Sequence, residues 1–169
     1  MSLGLTRYCL DTNVLIQAWQ KYYSPKLCPD YWSVLNKLGE DGIIFLPHLV
    51  YQEIIRTDDD LNKWIRGSKI PVLMPDTNVT NILRTIFEAD PLHQTLVDNT
   101  KKRSLADPWV IAHALNEKAV VVTKEEKVTA ANASRIKIPN VCENLGVPWI
   151  NDFEFIERMN IRFYCRLII

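Results

Sequence analysis

Four carboxylate residues in this sequence are spaced so that a folded sheet could bring them together: Asp11, Glu53, Asp107 and Glu125. They stand on four separate segments, each near the predicted end of a strand or the predicted start of a helix. Like charges in one cleft repel each other unless a cation lies between them. Carboxylates without His or Cys ligands select a hard divalent ion such as Mg²⁺ or Mn²⁺. Such a site can activate a water molecule and hold a phosphodiester during in-line displacement.

Two of these carboxylates also have purely structural interpretations. Asp11 follows the apolar run Tyr8–Leu10 and precedes an apolar helical pattern, a position where aspartate commonly makes a turn or caps a helix. Asp107 stands directly before Pro108, so local chemistry predicts it as a helix N-cap, with Ser104 as an alternative cap. Both interpretations stay open for both residues.

Glu53 is the most informative of the four. It falls inside the arc of about 140° that the apolar residues of its predicted helix form, so the helix would carry a carboxylate inwards. An unpaired buried charge costs several kcal/mol and therefore needs a cation, a hydrogen-bond network or a raised pKa. The alternatives are a buried Glu–Arg pair or a side chain at the edge of the arc that reaches water.

Two adjacent carboxylates, of which Glu125 is one, follow the most convincing strand pattern of the sequence. Glu125 and Glu126 come directly after the run Val120–Thr123. Ligands of parallel α/β sheets bind beyond the carboxyl ends of the strands, which is where this pair would lie. Both could instead be solvated loop charges, and we favour that interpretation for Glu126.

Continuously apolar strands separated by helical patterns are the elements that would position these groups. The predicted strands are residues 8–10, 43–46, 119–122 and 147–150, with an extended piece between Pro71 and Pro75. Such strands, without polar alternation, are typical of a parallel sheet covered on both faces. The expected fold class is therefore α/β, a three-layer α/β/α sandwich with a central, mostly parallel sheet, forming one domain over residues 1–169.

The helical patterns between the strands are of unequal strength. Residues 34–38 predict a short helix that Gly39 stops, and apolar positions from Val79 onwards predict an amphipathic helix. The tripeptide Asp76-Thr77-Asn78 repeats Asp11-Thr12-Asn13, but Pro75 precedes it and no buried strand leads into it. We therefore expect Asp76 or Thr77 to be a helix cap.

Composition excludes several classes of protein. The chain has 169 residues with 20 Lys and Arg against 20 Asp and Glu, a formal net charge of +0, and 47% hydrophobic residues. A disordered chain is excluded, and the balanced charge disfavours a protein that coats DNA through a basic excess but allows a local basic strip. No apolar run approaches a membrane span, and four scattered Cys with three His make no zinc site, so we expect a cytoplasmic protein without a membrane partner.

The motifs together resemble the PIN-domain ribonucleases over about residues 7–150. The matching segments are Leu10-Asp11-Thr12-Asn13-Val14-Leu15, Glu53 in a helix, Ala106-Asp107-Pro108-Trp109-Val110-Ile111-Ala112-His113-Ala114, and Val120-Val121-Val122-Thr123-Lys124-Glu125. A later segment, Ile138-Pro139-Asn140-Val141-Cys142, resembles a poorly characterised PIN-like subgroup. Each motif is short, but their order and spacing are fairly specific.

The resemblance implies a Mg²⁺- or Mn²⁺-dependent endoribonuclease that cleaves single-stranded RNA, often the toxin of a toxin–antitoxin pair. Asp11, Glu53 and Asp107 would be metal ligands. Glu125 stands where the family commonly has Asp, so a water-mediated contact is the alternative to direct ligation. Asn13 and Thr123 would be polar supports, with an Asx turn and a strand-end hydroxyl bond as their structural interpretations.

An anionic substrate also needs cations beside the acidic cleft. Lys101, Lys102 and Arg103 precede Asp107, and Lys124 follows the strand end, so these four are candidate RNA contacts, with a solvated surface as the alternative. Trp19 and Trp109 could stack on bases or lie in the core.

Three further expectations concern partners and rival functions. The apolar tail 161–169 either completes the core or contacts a partner, an antitoxin or a second copy in a homodimer. The rival class is a non-catalytic PIN-like module that binds RNA or protein. A small-molecule phosphohydrolase is disfavoured because the sequence has only five Gly and no phosphate-binding loop.

Overall fold

A five-stranded parallel sheet forms the centre of the computed structural model, which describes residues 5–97 and 105–168. Its strand order is β3-β2-β1-β4-β5. The strands are β1 (Tyr8–Leu10), β2 (Ile44–Pro47), β3 (Val72–Leu73), β4 (Val120–Val122) and β5 (Trp149–Ile150). The predicted sheet positions are confirmed, and so is the α/β class with helices flanking the sheet.

The three central strands are buried along their whole length, which is why they carry no polar alternation. β1 lies in the middle, where Tyr8 pairs with both Ile44 and Val120 and Cys9 pairs with Phe45 and Val121. All four pairings are parallel, so the carboxyl ends of β1 and β4 meet at one edge of the sheet. Asp11 and Thr123 leave the sheet at this edge.

Eight α-helices flank the sheet in the described part of the chain, together with a π-helical turn at Ala18–Tyr22 and a 3-10 helix at Pro91–Leu96. The first helix begins one residue after Asp11, and the sixth begins at Asp107 and packs against β1, β2 and β4. The helices are α1 (Thr12–Gln17), α2 (Pro29–Glu40), α3 (His48–Ile54), α4 (Asp60–Gly67), α5 (Thr77–Ala89), α6 (Asp107–Glu117), α7 (Ile138–Leu145) and α8 (Asp152–Arg158).

The prediction of a short helix stopped by Gly39 is wrong, because α2 runs from Pro29 to Glu40 with Gly39 inside it. Pro29 occupies the first helical position, where its missing N–H costs nothing. Gly39 is needed for packing: a Cβ there would lie 2.6 Å from the Cα of Ile70. The glycine therefore permits a close approach of two backbones and does not end the helix.

Asp76 confirms the second helix prediction, since its carboxylate accepts the Val79 N–H at 2.8 Å as the N-cap of α5. Trp19 belongs to an aromatic cluster, with its ring 4.6 Å from that of Trp32, and Trp109 packs against the core. These contacts favour the core interpretation of both tryptophans.

The apolar tail completes the core only at its start, where Ile161 packs against it. Phe163 stacks on Tyr23 with ring centroids 5.1 Å apart, but Tyr164, Leu167 and Ile168 are exposed. Self-association through this segment stays a prediction. Within residues 5–97 and 105–168, no helix has both the length and the apolar character that crossing a bilayer requires.

Candidate functional site

Asp11 is the carboxylate that the sheet places most firmly. It follows β1 and occupies the N-cap position of α1 with an extended backbone, but its side chain makes no capping hydrogen bond, so side-chain capping does not explain the residue. Only 1% of the residue is exposed. Oδ2 accepts a hydrogen bond from Thr123 Oγ1 at 2.9 Å, whereas the buried Oδ1 has no hydrogen-bond partner among the described residues.

The surroundings of Asp11 disfavour its charged form. Burial, followed by repulsion from Glu125, raises its pKa from 3.8 to about 7, and Glu53 adds to the repulsion. The hydrogen bond from Thr123 acts in the opposite direction and stabilises the carboxylate. A carboxyl group with an unsatisfied oxygen and two acidic neighbours is a place where a cation would be stabilised.

Glu53 joins the starts of two helices. It lies near the end of α3, where Oε2 accepts the Thr12 hydroxyl at 2.6 Å and Oε1 accepts the backbone N–H of Ala106 at 3.3 Å. The inward orientation that its helix pattern predicts is therefore explained by hydrogen bonds from neutral donors. Thr12 directly follows Asp11 in the chain and Ala106 directly precedes Asp107, so these two hydrogen bonds hold Glu53 near both aspartates.

Asp107 is not the N-cap that local chemistry predicts. It is the first residue of α6, with Pro108 second, while Ala106 occupies the cap position without a side-chain hydrogen bond. Asp107 is 8% exposed and lies in the first turn, where the partial positive charge of the helix stabilises a carboxylate. The helix start therefore holds a buried carboxylate next to the residue that Glu53 contacts.

Glu125 serves a different purpose from the other three. Its backbone N–H donates to Thr123 Oγ1 at 3.1 Å. Its Oε1 accepts from Lys137 Nζ at 3.0 Å and its Oε2 from the backbone N–H of Ile138 at 2.9 Å. Both oxygens are thus engaged at the start of α7, an arrangement that favours an indirect contribution to any metal site.

The supporting polar residues differ in their surroundings. Thr123 is fully buried and its hydroxyl links Asp11 with the Glu125 backbone, so the predicted strand-end hydroxyl bond is made to the candidate site itself. Asn13 is exposed at the beginning of α1. The hydrogen bond of Thr12 is a contact that sequence reasoning missed; Thr12 lies next to Asp11, but nothing in the sequence marks its partner Glu53.

Lys124 does not lie on an open surface, although it was a candidate RNA contact. Its ammonium group is 2.7 Å from Asp152 Oδ2, and the two side chains are only 9% and 4% exposed. It also lies 4.3 Å from the ring centroid of Tyr22 and 5.2 Å from that of Phe153. The other three candidate contacts, Lys101, Lys102 and Arg103, lie outside the described residues.

The carboxylate oxygens at this edge of the sheet are of the kind that a hard cation prefers, but they are not arranged as a set of metal ligands. Carboxylate oxygens are the ligands of Mg²⁺ and Mn²⁺, and Oδ1 of Asp11 is a buried acceptor that lacks a donor among the described residues. In the part of the chain that the structure describes, no three His, Cys, Asp or Glu side chains are arranged to hold a metal ion. Metal ligation by Asp11, Glu53, Asp107 and Glu125 therefore stays a prediction.

Solved structures share this architecture. VapBC2 from Rickettsia felis, bound to a DNA fragment from its promoter, matches with 17% identity and a TM-score of 0.54 over 86% of this chain and 98% of that chain. VapBC-1 from nontypeable Haemophilus influenzae matches with 18% identity and a TM-score of 0.52 over 86% and 98%. FitAB bound to an IR36 DNA fragment matches with 17% identity and a TM-score of 0.53 over 85% and 94%. These similarities confirm the PIN-like fold.

Sequence comparison adds the family. No curated protein matches the chain. A family model described as a domain of unknown function, DUF4411, matches residues 8–163 and so spans the sheet, the candidate site and part of the tail. The chain belongs to the DUF4411 family.

Proposed function

We propose that this chain is a PIN-like, metal-dependent endoribonuclease that hydrolyses phosphodiester bonds of single-stranded RNA. The observation that carries the proposal is the buried Asp11 carboxylate, which has one oxygen without a partner among the described residues and is flanked by Glu53 and Glu125. Burying such a group destabilises the fold, and buried carboxylates with strongly perturbed pKa values occur most often at functional sites.

Asp11, Glu53 and Asp107 are the residues that would hold Mg²⁺ or Mn²⁺. Bound there, a divalent ion supplies Lewis acidity, which lowers the pKa of a water molecule and offsets the charge of a phosphodiester. Thr123 orients Asp11 through Oδ2, so Oδ1 would be the oxygen that is available to a cation. Glu53 would exchange the Thr12 or Ala106 hydrogen bond for a metal contact.

Glu125 would act through charge and position. Its oxygens hold Lys137 and the start of α7, while its negative charge disfavours an ionised Asp11 in the absence of a cation. The effect is to make cation binding and ionisation of Asp11 mutually dependent. This is consistent with the water-mediated contact that the longer Glu side chain allows.

Cleavage of a labelled single-stranded RNA by the purified chain, with Mn²⁺ or with chelator, tests the proposal. We expect metal-dependent cleavage that Asp11→Asn and Asp107→Asn each reduce at least about a hundredfold, the scale of losing one electrostatic contact in the transition state. The matched control is Asp76→Asn, which alters the same Asp-Thr-Asn tripeptide at a helix cap where Asn caps as well as Asp. Cleavage that persists in both site variants would refute the assignment.

We further propose that the chain is the toxin of a toxin–antitoxin pair. Support comes from the structural neighbours, whose names describe VapBC and FitAB complexes. Induced expression of the chain in a bacterial host is expected to arrest growth, and expression of the Asp11→Asn variant is expected to permit it. Equal growth arrest by both forms would show that toxicity does not depend on the site.

A second candidate function is a non-catalytic module that binds RNA or protein. The engagement of both Glu125 oxygens and the lack of a three-ligand group among the described residues favour it. Calorimetric titration with Mn²⁺ distinguishes the two functions: the nuclease binds the ion with Asp11 intact and loses it in Asp11→Asn, whereas the module binds none.

A further inference from the structure

A cavity of about 410 Å³ opens at the same sheet edge as Asp11 and is not used by the proposed chemistry. We refer to it as the aromatic cavity. Tyr22, Trp149 and Phe153 supply its rings, Gln17 and Asn151 its carboxamides, and Lys124 and Glu125 connect it to Thr123. Its volume is within the usual range for small-molecule sites of about 300–1,000 Å³.

Two exposed aromatic side chains of this cavity pack against each other edge to face. Tyr22 is 48% exposed and Phe153 is 54% exposed, although large aromatic side chains are normally buried. Their ring centroids are 6.5 Å apart with an interplanar angle of 76°, and the Lys124 ammonium lies between them. Both rings are therefore held in place while each keeps about half of its surface accessible to a flat partner.

The local backbone is built to deliver Tyr22 to this position. The π-helical turn Ala18–Tyr22 directly follows α1, and Tyr23 donates its N–H to Ala18 O at 2.8 Å, an i to i−5 bond. Such turns are rare and recur at functional sites because they redirect side chains. Here the turn continues the helix that starts beside Asp11, so one segment contributes to the candidate site and to the cavity.

The charges of the cavity favour a neutral ring over a phosphate. Lys124 is paired with Asp152 and Lys127 with Glu143, so both lysines that line the cavity are neutralised. Glu125 is likewise paired with Lys137, and Glu126 adds negative charge to the wall. A nucleobase is uncharged, stacks on aromatic rings and hydrogen-bonds to carboxamides, which are the groups present.

We infer that the aromatic cavity binds one nucleobase of the single-stranded substrate, next to the cleaved phosphodiester, with Phe153 and Tyr22 as the stacking residues. Asn151 uses Oδ1 to accept the Glu154 N–H, which leaves its NH₂ group to donate to a base edge. The inference deepens the proposed function and rests on it for the identity of the substrate. It assigns residues that set base preference and KM but do not perform the chemistry.

The test is a chemical-shift titration of the full chain with AMP, UMP and ribose 5-phosphate, read at the Trp149 indole N–H, which Trp149→Phe identifies. We expect both nucleotides to shift this resonance and ribose 5-phosphate to leave it in place. Phe153→Leu should weaken nucleotide binding about tenfold, within the range for loss of one base-stacking contact, whereas Phe153→Tyr should retain it. The control is Tyr164→Leu, which removes an exposed aromatic ring outside the cavity.

RNA cleavage separates this inference from the proposed function. We expect Phe153→Leu to raise the KM for single-stranded RNA about tenfold with little change in kcat. If the parent chain cleaves RNA but Phe153→Leu alters neither nucleotide affinity nor KM, the base site is refuted and the nuclease stands. If nucleotides bind through Phe153 but no RNA is cleaved, the nuclease is refuted and the base site stands. Equal binding of ribose 5-phosphate, no shift with either nucleotide, or an equal loss in Tyr164→Leu would overturn the inference.

Discussion

Replacing Asp11 by Asn should stabilise the metal-free protein, and increasingly so as the pH rises. The pKa of Asp11 in the folded chain is about 7 against 3.8 as its ordinary value, because burial and then Glu125 disfavour the charge. The folded state therefore binds the Asp11 proton more tightly than the unfolded state does. This tighter binding stabilises the fold fully below pH 3.8, and the stabilisation is lost as the pH rises through about 7. A shift of this size corresponds to about 4 kcal/mol in total, of which about 2.5 kcal/mol falls between pH 5 and pH 8.

Asn carries no charge and so removes this pH-dependent cost, while its oxygen can still accept the Thr123 hydroxyl. The assay is thermal unfolding of the parent and Asp11→Asn chains at pH 5 and pH 8 in chelator. We compare the Tm of Asp11→Asn with the Tm of the parent at each pH. For a chain of 169 residues, about 2.5 kcal/mol means that the advantage of Asp11→Asn should be about 5–10 °C larger at pH 8 than at pH 5. Mn²⁺ at pH 8 should then raise the Tm of the parent alone. Parallel pH profiles for the two chains would refute the reasoning about the buried charge, and Asp76→Asn should follow the parent throughout.

Three further predictions concern single contacts. Thr123→Val removes the hydroxyl that contacts Asp11 and the Glu125 backbone, and should lower the free energy of unfolding by about 1–3 kcal/mol in urea denaturation. Thr123→Ser keeps the hydroxyl and should keep the stability of the parent. An unchanged free energy of unfolding in Thr123→Val would show that the hydroxyl is not needed. Lys124→Met leaves the buried Asp152 carboxylate unpaired and should lower the free energy of unfolding by about 3–5 kcal/mol. The double variant with Asp152→Asn should recover most of this loss. Additive losses in the two single variants and the double variant would contradict the pairing. Gly39→Ala should lower the free energy of unfolding by about 1–3 kcal/mol, because its Cβ would lie 2.6 Å from the backbone of Ile70. The control is Gly67→Ala, whose Cβ meets open space and should not destabilise the fold. Equal effects of the two substitutions would argue against the close approach.

The sheet and its edge could be predicted because their signals are local. Three buried strands read as unbroken apolar runs, and Asp11 and Thr123 each follow such a run directly. The same Asp-Thr-Asn tripeptide at Asp76 lacks a preceding strand and caps a helix. A polar residue immediately after an apolar strand was therefore the informative feature, more than the identity of the tripeptide.

The rest of the site depends on pairs that are distant in the chain, which no local pattern records. Thr12 and Glu53 are 41 positions apart, and Ala106 contacts Glu53 from 53 positions away. Asp107 fits the local chemistry of an N-cap, but the chain begins α6 one residue earlier, and the cap position goes to Ala106. The local pattern around Gly39 predicts the end of a helix. The actual constraint on Gly39 is its contact with Ile70, which lies on another segment and leaves no local signal.

The glutamate at position 125 gains a physical explanation from its partners. Its backbone is fixed at the strand end by Thr123 Oγ1, while its carboxylate reaches the first backbone N–H of α7 and the Lys137 ammonium. An aspartate is shorter by one methylene and could not make the same contacts from the same backbone position. The residue therefore uses both of its carboxylate oxygens to connect β4 with α7. Because its charge still raises the pKa of Asp11, the connection keeps an electrostatic influence on the site. Ligation and support are thus separable roles, and here the longer side chain favours support.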